Sequence, residues 1–163
     1  MKPIYLIGFM GSGKSTIGER LCTKLDVPLV DTDQMIVDKY GPITTIFQEH
    51  GEQIFRKYET EMLKRTGGME QIVSTGGGMV EREENVAFMT HHGLVVHLNA
   101  SMNAIASRLG EDPNRPLWGK DSSERVRLYN RRKDLYTEAA DATVLTDNKS
   151  IEAIAEEIAD LQA

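Results

Sequence analysis

Gly8-Phe9-Met10-Gly11-Ser12-Gly13-Lys14-Ser15 follows the pattern G-x-x-x-x-G-K-S/T, and its flanks give the match meaning. Ahead of it, Ile4-Tyr5-Leu6-Ile7 is a short apolar run of the kind a buried β-strand requires. Behind it, Ile17, Leu21 and Leu25 recur at helical spacing. Strand, glycine loop and helix in that order make an anion cradle. The glycines let the backbone turn tightly with its N–H groups inward, and the positive end of a helix stands behind them. In such a loop Lys14 reaches the β- and γ-phosphates and the Ser15 hydroxyl sits on Mg²⁺, with Gly11, Ser12, Gly13 and Thr16 completing the cradle. The stretch predicts a nucleoside triphosphate site.

Around that loop, 163 residues suffice for one domain with a real core, and 40% hydrophobic with 27% charged residues is ordinary for a globular chain. A net charge of −6 without any Lys/Arg block argues against a nucleic-acid partner. An anionic ligand must then be gripped by a few placed cations. Cys22 stands alone on the first helix, which excludes a disulfide framework and marks it as a core or near-core residue. No apolar run approaches a membrane span, and the first strand begins too early for a signal peptide, so a cytoplasmic location is expected.

Val27–Val30 reads as a second strand ending in Asp31-Thr32-Asp33, with a helix from Gln34 to about Tyr40 that Gly41-Pro42 breaks. Two helical pieces, Thr44–His50 and Glu52–Arg65, flank Gly51. Gln71–Thr75 is a third strand running into Gly76-Gly77-Gly78. A helix over Arg82–His91 and a fourth strand, Leu94–Leu98, come next. Ser101 has the place of an N-cap for a helix to Leu109. Gly110–Lys120, with two prolines and two glycines, reads as a mobile loop. Asp121 and Glu124 resemble a capping box for a long helix to about Ala139. After a fifth strand, Ala142–Leu145, Ser150 caps a last helix expected to turn Ile151, Ile154, Ile158 and Leu161 inward. Strands alternating with helices specify an α/β fold whose parallel sheet is covered on both faces, with ligands at the carboxyl ends of the strands. The P-loop, Asp31–Asp33 and the glycine triplet all follow a strand, so all three should converge on one crevice.

The residues in that crevice admit more than one reading. Asp31 and Asp33 point to opposite sides if the strand continues, one toward the metal at Ser15 and one toward a second substrate. The plain alternative is helix capping, which Asp33 is placed to do. The triplet is either a flexible turn or a place where a ligand approaches backbone N–H groups. Arg56 follows Glu52 by four residues, so a surface ion pair worth about 0.3–0.5 kcal/mol competes with a functional role. Arg115 lies in the presumed lid, and Arg132 in a basic run most of which should be solvated. His50, His91, His92 and His97 show no metal-ligand spacing and read as surface or core residues.

In this order, Gly8–Thr16, Asp31-Thr32-Asp33, Phe55-Arg56 with Glu59, Ser74–Gly78, Arg115-Pro116-Leu117, Arg132–Tyr136 and Ala140-Asp141 resemble the shikimate kinases over nearly the whole chain. The P-loop is shared by many NTPases; the combination is much more specific. The resemblance implies a three-layer P-loop kinase fold of the nucleoside monophosphate kinase type, with a five-stranded parallel sheet in the order 2-3-1-4-5. It implies a single domain over residues 1–163, with substrate-binding helices at about 33–65 and a mobile lid at about 110–121. The implied activity is ATP-dependent phosphorylation of the 3-hydroxyl of shikimate, toward chorismate and the aromatic amino acids, with Mg²⁺ as cofactor.

By the same resemblance Asp33 holds the ring hydroxyls and accepts the nucleophile's proton. Arg56 and Arg132 grip the carboxylate, the backbone of Gly76, Gly77 and Gly78 lines the pocket, and Phe47 and Phe55 wall it. Asp31 joins Ser15 at the metal, Arg115 descends on the transferring phosphate, and Arg108 stacks near adenine. A monomer acting on ATP and shikimate, with no nucleic-acid or membrane partner, is expected. Trp118 in the lid matches no expectation from the family. A gluconate kinase on the same fold is a rival, disfavoured by the two arginines. A nucleotide switch would want Asn-Lys-x-Asp, and Asn148-Lys149-Ser150-Ile151 lacks the aspartate. A binding protein that has lost catalysis is disfavoured because Lys14, Asp33 and Arg115 are all present.

Overall fold

The strand ahead of the P-loop, β1 (Ile4–Ile7), is buried along its whole length, and its alternation divides the core in two. Ile4 and Leu6 pack with Ile17, Leu21, Ile154 and Ile158 on one face; Tyr5 and Ile7 pack with Met79, Met89, Ile105 and Tyr136 on the other. The computed structural model describes residues 2–109 and 122–162. After β1 come α1 (Lys14–Leu25), β2 (Leu29–Asp31), α2 (Thr32–Tyr40), α3 (Ile43–Leu63) and β3 (Ile72–Ser74). A 3₁₀ turn (Met79–Glu81), α4 (Glu83–His92), β4 (Leu94–Asn99), α5 (Met102–Leu109), α6 (Ser122–Ala139), β5 (Ala142–Leu145) and α7 (Ile151–Asp160) complete the chain. The five strands pair in parallel in the order β2-β3-β1-β4-β5, the expected class and order.

Register brings the loops to one edge. Asp31 pairs with Ser74, Ser74 with Leu6, and Ile7 with His97, so the P-loop, the Asp31–Asp33 turn and the glycine triplet leave the sheet at nearly the same level. Short bonds tie them there: the Thr75 hydroxyl donates to the Leu6 carbonyl at 2.8 Å, and Gly76 N–H donates to the Thr32 hydroxyl at 3.2 Å. Helices α2 and α3 form a satellite unit around Ile36, Ile46, Phe55 and Met62. Gly51 interrupts α3 with φ of 82°, a left-handed value glycine adopts at little cost, so the two expected helical pieces meet at a kink.

Three local expectations need correction. Strand β2 begins at Leu29 rather than Val27, and Asp31, not Asp33, caps α2. The Asp31 Oδ1 accepts the N–H groups of Asp33 at 2.9 Å and Gln34 at 3.1 Å, which starts the helix at Thr32. In α7, Ile154 and Ile158 turn inward against α1, but Ile151 and Leu161, at the two ends of the helix, are 45% and 43% exposed. The 3₁₀ turn after the triplet was not expected; it forms because Met79 and Glu81 donate back to the carbonyls of Gly76 and Gly78. The caps hold where they are described: the hydroxyls of Ser101 and Ser150 accept from Ala104 and Ala153. Asp121 lies outside the described residues. No described helix is long and apolar enough to cross a membrane.

Candidate active site

A cleft of about 680 Å³ opens at the carboxyl edge of the sheet. Gly11, Gly13, Lys14, Ser15 and Thr16 line one side; Asp31, Asp33, Gly76 and Gly77 line the other. On the P-loop side Gly13, with φ of 100°, turns the chain into α1. Lys14 Nζ donates to the carbonyls of Gly8 at 2.6 Å and Phe9 at 3.0 Å, which draws the amine across the loop. Ser12 differs from its neighbours, since its side chain is buried.

Asp31 does two things at once. Its Oδ1 caps α2, while Oδ2 lies 3.5 Å from Ser15 Oγ. The cap is therefore present, and the second oxygen faces Ser15. These two oxygens beside Lys14 suit a magnesium ion, which keeps several waters and takes few protein ligands alongside phosphate oxygens. No group of three or more His, Cys, Asp or Glu side chains that could hold a metal occurs among the described residues.

The glycine triplet is where the remaining residues meet, and the reason is space. A Cβ on Gly76 would lie 2.7 Å from Asp33 Oδ1 and 2.8 Å from Glu59 Oε2. One on Gly78 would fall 2.1 Å from Arg56 Nη1, and one on Gly77 would sit 3.4 Å from Arg132 Nη1. The triplet therefore admits two carboxylates and two guanidinium groups against a single strand end. That explanation differs from a flexible turn, and it adds side chains to the expected exposure of backbone.

Arg56 is no surface residue. It is 8% exposed, with Nη1 2.7 Å from Glu59 Oε1 and Nη2 3.0 Å from Glu52 Oε2. Burial works against its charge, but Glu59 and Glu52 outweigh that and hold it firmly protonated. Glu59 itself is 1% exposed, and burial pushes its carboxyl up to about 7 against the pull of Arg56, with the Asp33 charge adding to the push. Arg132, alone of its basic run, is buried; Arg131 beside it is exposed. The Tyr136 hydroxyl, one turn along α6 from Arg132, donates to the Gly77 carbonyl at 2.5 Å. Burial raises it far above its ordinary range, so it remains a donor.

Other expected residues divide. Phe47 and Phe55 pack with ring centroids 5.0 Å apart and planes tilted by 43° within the α2–α3 unit, and Arg56 lies over the Phe55 ring. His97 is a core histidine under the P-loop; burial and the Lys14 charge lower it to about 4. A smaller hollow of about 170 Å³ beside the P-loop is lined by Ser12, Thr16, Thr146, Lys149 and Ile151, among others. Arg115 and Trp118, the expected lid at 110–121, and the side chain of Arg108 lie outside the described residues.

Sequence reasoning assigned no role to Glu59, Thr32, Tyr136 or Glu81. The first and third carried a readable signal, since Glu59 stands three residues after Arg56 and Tyr136 four after Arg132, each sharing a helix face with its arginine. Thr32 and Glu81 carried none, because their partners are distant in sequence or across a turn.

Comparison with known proteins bears on the family and the fold. The family model described as shikimate kinase matches residues 10–162. A shikimate kinase of Bacillus cytotoxicus is 44% identical over 160 residues, covering 97% of this chain and 96% of that protein. The structure of an Acinetobacter baumannii shikimate kinase in complex with shikimate superposes with a TM-score of 0.93 at 34% identity, covering 99% of this chain and 93% of that one. A gluconokinase from Sinorhizobium meliloti reaches only 0.59 at 19% identity, over 98% and 93% of the two chains, a likeness of fold alone.

Proposed function

The chain belongs to the shikimate kinase family, and from that premise we propose how its residues carry out the ATP-dependent phosphorylation of shikimate. One observation carries the assignment: Lys14, Asp33 and the Gly76–Gly77 backbone line one cleft, while Arg56 and Arg132 press against the same triplet.

The triphosphate lies along the P-loop, its β- and γ-oxygens met by the N–H groups of Gly11–Thr16 and by Lys14. Ser15 and Asp31 would hold a magnesium ion there, and the ion would offset the charge of the phosphate oxygens. Ser12, Thr16, Thr146, Lys149 and Ile151 offer an apolar and polar hollow for the base, and by resemblance Arg108 stacks on it. Shikimate takes the other side. Its carboxylate meets the guanidinium groups of Arg56 and Arg132, whose planar forks suit a carboxylate. Its ring hydroxyls meet the Asp33 carboxylate and the backbone at Gly76–Gly78, with Phe47 and Phe55 behind.

In this arrangement the 3-hydroxyl oxygen attacks the γ-phosphorus as the bond to the β,γ-bridging oxygen breaks, and the hydroxyl proton passes to Asp33. Lys14 stabilises charge on the γ-phosphoryl oxygens. Arg115 and the lid are assigned by resemblance to the same group and to the exclusion of water. A cytoplasmic monomer acting on these two small molecules, without nucleic acid or membrane, is part of the same proposal; the acidic net charge of −6 disfavours a nucleic-acid partner, and the described cleft is lined by residues of one chain.

A coupled ADP-release assay with shikimate, gluconate and nucleoside monophosphates tests the reading, using wild type and Asp33→Asn. Turnover should require shikimate, and the variant should lose about 10²- to 10⁴-fold in kcat, the span of a general base, while KM for ATP stays within about twofold. Equal turnover by both proteins would refute the role of Asp33.

A further inference from the structure

Glu81 closes the 3₁₀ turn that follows the glycine triplet, its N–H donating to the Gly78 carbonyl at 3.0 Å. Its position is therefore set by the same backbone that carries the triplet. Its side chain is 14% exposed and stands between two neighbouring arginines of α6. Glu81 Oε1 lies 3.1 Å from Arg131 Nη2, and Oε2 lies 3.6 Å from Arg132 Nε, ion-pair distances without hydrogen-bond alignment. The two arginines differ sharply: the Arg131 side chain is 69% exposed and the Arg132 side chain 1%.

A buried guanidinium needs a counter-charge, and its planar fork needs a fixed orientation before it can grip a carboxylate bidentately. Here the Nε side of Arg132 faces Glu81 while Nη1 reaches Gly77. Two cations share one carboxylate, so the trio retains net positive charge for an incoming anion. We propose that Glu81 is a positioning residue for Arg132. It holds the Nε side of the guanidinium so that the Nη side is presented at the triplet, and Arg131 draws off enough of its charge that Arg132 is not neutralised. This inference rests on the reading that Arg132 binds the shikimate carboxylate.

The sign of one substitution separates positioning from a simple field effect. Removing a negative charge beside an anion site, with nothing else changed, strengthens binding of the anion. Removing a residue that orients the anion's partner weakens it. Steady-state kinetics of wild type, Glu81→Gln and Glu81→Asp, with shikimate, its neutral carboxamide and ATP, give the readout. In Glu81→Gln the KM for shikimate should rise about 5- to 20-fold, the range for a loosened hydrogen bond to a charged group, with KM for ATP within about twofold. The preference for shikimate over the carboxamide should shrink by the same factor. Glu81→Asp, which keeps the charge on a shorter arm, should fall between, and it decides the matter if Glu81→Gln is too unstable to assay. A KM for shikimate that is unchanged or lower in the variants, or an undiminished preference for the carboxylate, overturns the inference alone. A wild type that takes the carboxamide as well as shikimate overturns the carboxylate reading and the inference with it.

Discussion

Alanine at position 78 is the sharpest single test of the site. The Gly78 backbone has φ of −95°, which any residue adopts, so the substitution acts through space alone. The new Cβ would meet Arg56 Nη1 at 2.1 Å and Cζ at 2.5 Å, whereas ordinary contact begins at 3.4 Å. The guanidinium must therefore retreat by about 1.3 Å. Because the displaced atoms end a long side chain, the backbone should absorb the change, at the cost of stretching the buried Arg56–Glu59 pair. The clamp should not. Withdrawing one charged partner from a carboxylate costs about 1.5–3 kcal/mol, or about 10- to 150-fold.

The assay is KM for shikimate and for ATP by coupled ADP release, with thermal denaturation alongside. Gly77→Ala serves as the matched control, since its Cβ would meet nothing nearer than 3.4 Å. The expected pattern is a large rise in KM for shikimate in Gly78→Ala, a small one in Gly77→Ala, and an ATP KM that neither changes by more than about twofold. Equal shikimate KM values in Gly78→Ala and wild type would show that Arg56 does not work from its place over Gly78.

Three further outcomes follow from buried groups and a cap. Glu59 holds its proton more tightly folded than unfolded, its carboxyl standing at about 7 rather than 4.5, so its contribution to stability is full below pH 4.5 and declines as pH rises toward 7. Denaturant titrations across that window should show Glu59→Gln lacking this decline; an identical slope would mean that Glu59 is ionised throughout. His97 has the opposite sign: lowered from 6.5 to about 4, it favours the folded state above pH 6.5 and costs stability as pH falls toward 4. His97→Phe should be less sensitive to acid over that range, and undiminished sensitivity would place the cause elsewhere. Ser150→Ala removes the cap bond to Ala153 N–H and should cost about 1 kcal/mol in denaturant unfolding with kinetics unaltered; a loss below about 0.3 kcal/mol would mean that the bond is replaced by water.

The local grammar of the chain was legible without coordinates wherever a short segment contained its own cause. Apolar runs of strand length, helical spacing after the P-loop, Gly51 as a break and Ser101 and Ser150 as caps are decided by neighbours within four residues, and each is found in the fold, with the strand ends shifted by a residue or two. The convergence of three loops followed as well, because parallel strands deliver every following loop to one edge. Misreadings arose where a distant partner competed. Asp31 took the cap because its side chain is held between the α2 N-terminus and Ser15, and Ile151 and Leu161 stand exposed at the two ends of α7.

What only the folded chain decided is the state of its charges. Arg56, Arg131 and Arg132 are alike as letters, yet two are buried against a glycine strand end and one lies in water. Glu59 and Glu81 acquired their places from the same packing. A residue's ionisation and direction depend on which groups surround it in three dimensions and on how much water they exclude. Neither quantity is a property of spacing along the chain.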